Sequence, residues 1–419
     1  MENYAEIFTK FLEQLSEWST TGKEPPLANQ DMKYYLDLQE ARLKSHNVQL
    51  KIQYDPEYKV TSTYRYAQKL PGMKHFMRFN YNTYFQGVSR KYVYSINGKL
   101  TKRYNDYVAV YQTIVDGDDS LADTDYVCPN CGSISKLHVL QEEGCPYCNT
   151  RYIMDDLYPK VINYYSINTG AISNKGFQNT IQTMLLIAIV LSGFIALDQF
   201  IVSTEYTFFF RVIVAVFSGL LGFPLFYFIL YIGYTFIKLF GLIGKTIDMI
   251  PVASGSKGTK KKIDQYLKKY DPSFDYEYFE GKALSLARIV MLSDNLEHAT
   301  QYEGLALPDS FKDVIDVQYL GGFGLQNYHE EGDEIVLHLR LYLETTLFRK
   351  GKIKKDRTPV LIEMTHNTKF PVDAGFSIMK VQCPNCGASF DARNIKYCPY
   401  CNSKYNIIDH DWLVRRISQ

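Results

Sequence analysis

Net charge is what this sequence has least of. Forty-six Lys and Arg stand against 45 Asp and Glu, and residues 1–177 taken alone carry 20 of each sign. No bulk field therefore draws the chain to nucleic acid. The opening stretch Met1–Trp18 lacks the basic region and apolar core of a secretory signal, so the residues before the first long apolar run are expected to stay on the side where they are made. A phosphate-binding glycine loop is also missing; Gly321-Gly322-Phe323-Gly324 reads as a turn before a strand. No cysteine lies outside four Cys-x-x-Cys pairs. What is abundant is tyrosine (35) and phenylalanine (25), which suit half-buried strands, in a chain of 419 residues that has room for two or three domains.

Two apolar runs cover about 180–202 and 208–238, within a segment 178–243. Each exceeds the roughly 20 residues needed to cross a bilayer core. The few residues from Ser203 to Tyr206 between them predict a tight helical hairpin. Lys160, Lys175, Lys238, Lys245 and Lys260–Lys262 flank the runs, whereas the connection offers only Arg211 beside Asp198 and Glu205. The basic-flank rule then predicts a multi-pass protein of the cell (plasma) membrane with both termini cytoplasmic. Gly219, Gly222 and Pro224 read as ordinary membrane-helix composition, and Asp198 and Arg211 as a pair at the outer interface. Residues 244–269 read as a flexible basic linker whose lysines meet anionic lipid headgroups.

The cysteines form Cys128-Pro-Asn-Cys131, Cys145-Pro-Tyr-Cys148, Cys383-Pro-Asn-Cys386 and Cys398-Pro-Tyr-Cys401. Each Cys-x2-Cys knuckle turns two thiolates toward one point, and a second knuckle about a dozen residues on completes a tetrahedron. Thiolates suit zinc, and a reducing cytosol disfavours disulfides. Four sulfurs leave no open position for a catalytic water, so the expectation is two structural Zn2+ ions in two zinc ribbons, with His138 a bystander.

The two ribbons belong to an internal repeat. Cys145–Tyr152 parallels Cys398–Tyr405, and Ile96–Arg103 parallels Arg349–Asp356. From Gly98 to Cys128 is 30 residues and from Gly351 to Cys383 is 32. Within each copy the order reads as helices, then a strand meander, then the ribbon. The first copy has helices near 4–18 and 31–45 and strands near 76–85, 90–96 and 107–115, with Asn97-Gly98 as a hairpin turn. In the second, Asp271-Pro272-Ser273 caps a helix with one apolar face (Phe279, Ala283, Leu286, Ala287, Val290). There Ile335, Leu337, Leu339, Leu341 and Leu343 alternate as the buried face of a strand, with Val336, His338 and Arg340 outward.

From Tyr270-Asp271-Pro272-Ser273-Phe274-Asp275-Tyr276 to about Phe370, and again at Asp411-Trp412-Leu413-Val414-Arg415-Arg416-Ile417, the chain resembles the bacterial Tim-forty-four-like domain family, over about 150 C-terminal residues. The N-terminal half joins only through the internal repeat and lacks the Asp-Pro-Ser-Phe opening. The resemblance implies an α+β fold of two nuclear-transport-factor-two-like cone domains, each followed by a zinc ribbon and joined by a two-helix transmembrane hairpin. The implied division is 1–122 (degenerate α+β domain), 123–165 (first ribbon), the hairpin, the linker, 270–378 (Tim-forty-four-like domain) and 379–419 (second ribbon). It also implies membrane-associated tethering, linked to protein transport.

The expected function is that of a non-enzymatic membrane-anchored scaffold that binds membrane lipid and a protein or peptide partner. The alternative is an enzyme or small-ligand protein using the apolar pocket of the cone, with His298, His329, His338, His366, Asp313 and Asp316 available; none of these sits in a catalytic motif. Both soluble halves are expected to dock on each other within one chain, the alternative being pairing between chains as a homo-oligomer.

Overall fold

The structure, a computed structural model, describes residues 2–55, 74–76, 79–117, 122–123, 125–168, 174–256, 258–272, 274–294, 296, 299–304, 306–370, 372, 378, 381–393 and 395–419. The chain divides into two compact units, Met1–Thr169 with Val252–Gln419, and Gly170–Pro251. The class is mixed α+β.

The first half of the larger unit opens with α1 (Glu2–Thr21) and α2 (Gln30–Ser45). The side chain of Asn29 caps α2 by accepting from the Met32 amide at 3.0 Å. Strands β1 (Val48–Asp55), β2 (Lys74–Phe76), β3 (Phe79–Ile96) and β4 (Lys99–Asp116) follow. Expected separate strands near 76–85 and 90–96 are largely one long strand, with 77–78 outside the described residues. Asn97 and Gly98 join β3 to β4 with φ of 50° and 75°, the doubly left-handed turn that matches strand twist. After β5 (Asp125–Val127), β6 (Ile134–Lys136), α3 (Leu137–Glu142) and α4 (Met154–Leu157), the chain returns as β7 (Lys160–Asn168). The antiparallel sheet runs β1-β3-β4-β7. Its core is Phe8, Phe11, Leu12 and Leu15 of α1 and Met32 and Leu36 of α2 on Leu50, Val88, Val108 and Val110.

The smaller unit is a helical pair, α5 (Asn174–Val202) and the first part of α6 (Phe208–Ser256). Thr180–Val202 and Phe208–Phe236 are long and apolar enough to cross a membrane. Their large side chains point outward rather than into a core, with Phe194 66 % and Phe217 64 % exposed. A methyl placed on Gly219 would lie 3.2 Å from Ala196 Cβ and 3.5 Å from the Ser192 carbonyl. Gly219 thus serves close helix approach rather than mere composition. Arg211 donates to the Phe200 carbonyl at 3.0 Å and stacks on the Phe200 ring, so its recorded partner is the end of α5 rather than Asp198.

The expected flexible linker is helical instead: α6 continues to Ser256, and α7 (Thr259–Leu267) follows Gly258 at φ 75°. Ile263, Tyr266 and Leu267 bury one face of α7, which fixes it to the second half.

Helix α8 (Tyr276–Leu292) starts later than the Asp271-Pro272-Ser273 reading, because Asp275 accepts from the Glu277 and Tyr278 amides; Ser273 lies outside the described residues. Then come β8 (Val314–Glu331), β9 (Glu334–Arg349), β10 (Lys352–Asp356), β11 (Val360–Asn367), β12 (Val381–Gln382), β13 (Ser389–Phe390) and β14 (Leu413–Ser418). In the second sheet β9 pairs with β8 on one side and with β10 and β11 on the other, and β11 pairs with β14. Gly321–Gly324 is no turn; it lies within β8 at a bulge where the register shifts between Tyr319 and Gly322.

Burial reaches beyond the expected faces in two places. Val336 is fully buried, although Ile335 to Leu343 do form the inner face and His338 and Arg340 beside it are half-buried. Residues Gly281–Leu292 of α8 are all buried, polar Lys282, Ser285 and Arg288 included. The apolar face of α8 meets its own sheet, and the opposite side meets α2 and β7 of the first half. A methyl on Gly281 would come within 2.8 Å of the Asn163 side chain in β7.

Nor does either four-cysteine segment follow a finished sheet. Residues 117–159 lie between β4 and β7, and 368–412 between β11 and β14, so each segment interrupts a sheet whose last strand comes afterwards.

Candidate metal centres

Each Cys-x-x-Cys pair is followed by glycine or asparagine: Gly132, Asn149, Gly387 and Asn402. All four have positive φ, between 58° and 73°. That left-handed residue lets the chain double back, so its amide donates to the carbonyl of the first cysteine: Gly132 to Cys128, Asn149 to Cys145, Gly387 to Cys383 and Asn402 to Cys398, at 2.8–2.9 Å. The amide of the first cysteine then donates to the next residue along, Ser133, Thr150, Ala388 or Ser403. The repeated hydrogen-bond pair aims both sulfurs of a knuckle the same way.

The eight predicted cysteines gather as two groups of four, in each of which the sulfurs all lie within 4.8 Å of one another. Cys128 and Cys148 are 3.7 Å apart, Cys131 and Cys145 3.5 Å. In the second group, Cys383 and Cys401 are 3.6 Å apart and Cys386 and Cys398 3.7 Å. A disulfide would need about 2.05 Å. A tetrahedral ion about 2.3 Å from each sulfur places the sulfurs roughly 3.8 Å apart. Both groups therefore fit one metal ion each, with every corner taken by protein.

Hydroxyls and amides beside Cys145, Cys148, Cys383 and Cys401 favour the thiolate that a metal requires, whereas Cys128 and Cys386 are shifted toward the thiol. Thr150, 3.3 Å from the Cys148 sulfur, lowers that thiol to about 6. Ser403, 3.0 Å from Cys401, lowers it to about 5. Ser133 lies 3.0 Å from Cys145 and 3.1 Å from Cys131. The signal for these supporting groups was in the sequence, as a Ser or Thr two residues after a cysteine. His138 is not among the ligands; its Nδ1 faces the Ala122 carbonyl at 2.8 Å.

Of the other candidates the structure brings His329 and His338 together, their rings stacked with centroids 5.4 Å apart. Asp316 is buried and accepts from Gln39 (2.9 Å), Tyr94 (3.1 Å) and Gln318 (3.0 Å), which ties the two halves together. His366 is buried between the Asp411 and Phe370 carbonyls and against Trp412, and burial lowers its pKa. Asp313 pairs with Arg349, His329 with Glu331, and His338 faces Glu363 at 3.7 Å. His298 lies outside the described residues.

Sequence reasoning missed a set of buried charges between the halves. Lys282 of α8 pairs with Asp31 of α2 and with Asp411, all three at most 8 % exposed. Arg42 of α2 donates to the Lys312 and Ser293 carbonyls at 2.8 and 3.1 Å and pairs with Asp294 at 2.8 Å.

No family model, curated protein or solved structure matches the chain.

Proposed function

We propose that this protein is a membrane-anchored, non-enzymatic scaffold that presents a rigid cytosolic body at the inner leaflet. The observation that carries the reading is the use made of its polar groups. The buried acids and bases that could do chemistry, Asp316 and His366 foremost, are spent on holding backbone and halves together. In this reading each four-cysteine group holds one structural zinc ion, and each half is a cone of the nuclear-transport-factor-two-like kind that carries a ribbon within its sheet.

The α5–α6 pair is the membrane hairpin, and both termini are cytosolic. The lysines outside the spans support that orientation, Lys260–Lys262 of α7 being exposed. Knuckle tyrosines at matching positions, Tyr147 and Tyr400, are 72 % and 71 % exposed and give each module an aromatic contact for a protein or peptide partner. A link to protein transport follows only from the Tim-forty-four-like resemblance.

A membrane-impermeant thiol reagent on intact cells tests the anchoring. Thr204→Cys should react and Ser389→Cys should not; the reverse pattern overturns the topology. Photocrosslinkers placed at Tyr147 and Tyr400 in native membranes test the scaffold. A discrete protein adduct is expected, and adducts to lipid alone would defeat the reading.

A further inference from the structure

The two four-cysteine groups share their knuckle geometry but not their surroundings. The first contributes Cys128, Leu140 and Cys145 to a small cluster of its own. Its next layer is Val115, Leu137, Leu157 and Tyr158, joined from the second half by half-buried Tyr278. The second group is built into the core of the other half: Phe390, Ala392, Cys398 and Tyr405 share one buried cluster with Tyr34 and Leu36 of α2.

Polar contacts run the same way. Arg393, between the two knuckles, lies over the Tyr34 ring at 5.5 Å and reaches Asp37 at 4.0 Å. Ten residues after Cys401, Asp411 enters the Lys282–Asp31 pair. Among its described residues, the segment that carries these groups has little regular structure beyond the two-residue strands β12 and β13 and a single 3-10 turn, Ile407–Asp409. Small modules of that kind draw their folding energy from the metal.

We propose that the second four-cysteine site is the clasp of the molecule: a metal ion held by Cys383, Cys386, Cys398 and Cys401 keeps Arg393 and Asp411 in place against α2 and α8, and so governs how firmly the two halves stay docked. The first site governs only its own module. Loss of metal from the second site withdraws Asp411 from a buried cation and bares the face of α2. It loosens the docking of the halves, which the Asp316 and Arg42 contacts still hold. The proposal rests on the metal-binding reading of the cysteines, not on the scaffold reading.

Hydrogen exchange on the full-length protein in detergent, with metal content measured in the same samples, tests it. Cys398→Ser should lose one metal ion and speed exchange in α2 and α8 by on the order of 100-fold, the equivalent of breaking one buried ion pair. Cys145→Ser should lose one ion and leave α2 slow. Equal opening by both variants, or a slow α2 in Cys398→Ser, overturns the proposal. If β9 also opens in Cys398→Ser, the second half has unfolded, and the double variant Arg393→Ala/Asp411→Asn decides. With both ions retained and β9 slow, faster exchange in α2 upholds the clasp, and unchanged exchange refutes it. Absence of metal in the untreated protein would instead defeat the metal-binding reading itself.

Discussion

Residues Cys128–Cys148 and Cys383–Cys401 make the same four-sulfur cage from the same knuckle sequences, yet one is a satellite and the other a keystone. The first packs mainly on itself and on the foot of its own sheet. The second shares a core with α2 of the opposite half. Local chemistry, set by Pro, Asn, Gly and Cys at fixed spacing, makes the cage; what depends on the cage is decided by the neighbours. The helices repeat the lesson. Arg42 and Arg288 each stand thirteen positions after their helix's cap residue, Asn29 and Asp275, and each crosses to the other half. Arg42 finds several carbonyls and a carboxylate. Arg288 has the Tyr164 carbonyl at 3.3 Å and the rings of Tyr35 and Tyr164.

The largest effect expected is on the cages themselves. Purified protein should hold two metal ions per chain by elemental analysis. Chelation should unfold both modules, because structural zinc supplies about 10–16 kcal/mol to such a site. Limited proteolysis after chelation should cut first within 125–157 and 381–409, and a core cut in α1 before either would contradict the comparison.

Next comes the buried charge. Lys282→Ala should lower stability by about 3–5 kcal/mol, since it strands Asp31 and Asp411 without a cation; denaturant unfolding measures it. The position of Lys282, seven after its cap, is held in α2 by Leu36. Lys282→Leu combined with Asp31→Asn and Asp411→Asn should therefore recover most of the loss. If it recovers none, the charges have a role beyond pairing.

The arginines should separate by a smaller margin. Arg42→Ala should cost about 3 kcal/mol, because it leaves the Lys312 and Ser293 carbonyls without their donor. Arg288→Ala should cost about 1 kcal/mol, near the value of one ordinary hydrogen bond. Equal costs would show that the ring contacts of Arg288 match the carbonyl contacts of Arg42.

The sequence announced the chemistry of the cages and of the spans through uninterrupted local patterns, and Asn97-Gly98 announced its turn through residues that take that backbone cheaply. It was silent on Asp31, Lys282 and Asp411, because their meeting joins positions hundreds of residues apart and no spacing encodes it. Strands β7 and β14 were absorbed into the cysteine modules for a related reason. Each is short and completes a sheet begun far upstream, so alternation within it says nothing about its partner. The two-sided burial of α8 was hidden too, since Lys282 and Arg288 read as a solvent face until α2 covers them.

The smallest expected effect is in pH. Burial, offset by Lys282 and aggravated by Asp31, raises Asp411 to about 6. A carboxyl whose folded pKa lies above its unfolded value binds its proton more tightly when folded. Its contribution to stability therefore improves as pH falls through about 6 and is lost as pH rises. Relative to Asp411→Asn, the wild type should gain by about 1 kcal/mol between pH 7 and pH 5. A difference that shrinks on acidification would reverse the assignment.

Because each cage is spliced into a sheet, it also sits inside the loop that must close before the last strand can pair. β7 reaches β4 across residues 117–159, and β14 reaches β11 across 368–412. An ion that ties Cys128 to Cys148, or Cys383 to Cys401, shortens the free chain in that search. The saving in closure entropy is small, about 0.6 kcal/mol for each halving of the loop, but it acts before the native contacts exist to reward it. Metal supply would thus act on the order of assembly as well as on the finished molecule: a cage that fills early turns a slow, distant strand pairing into a nearby one.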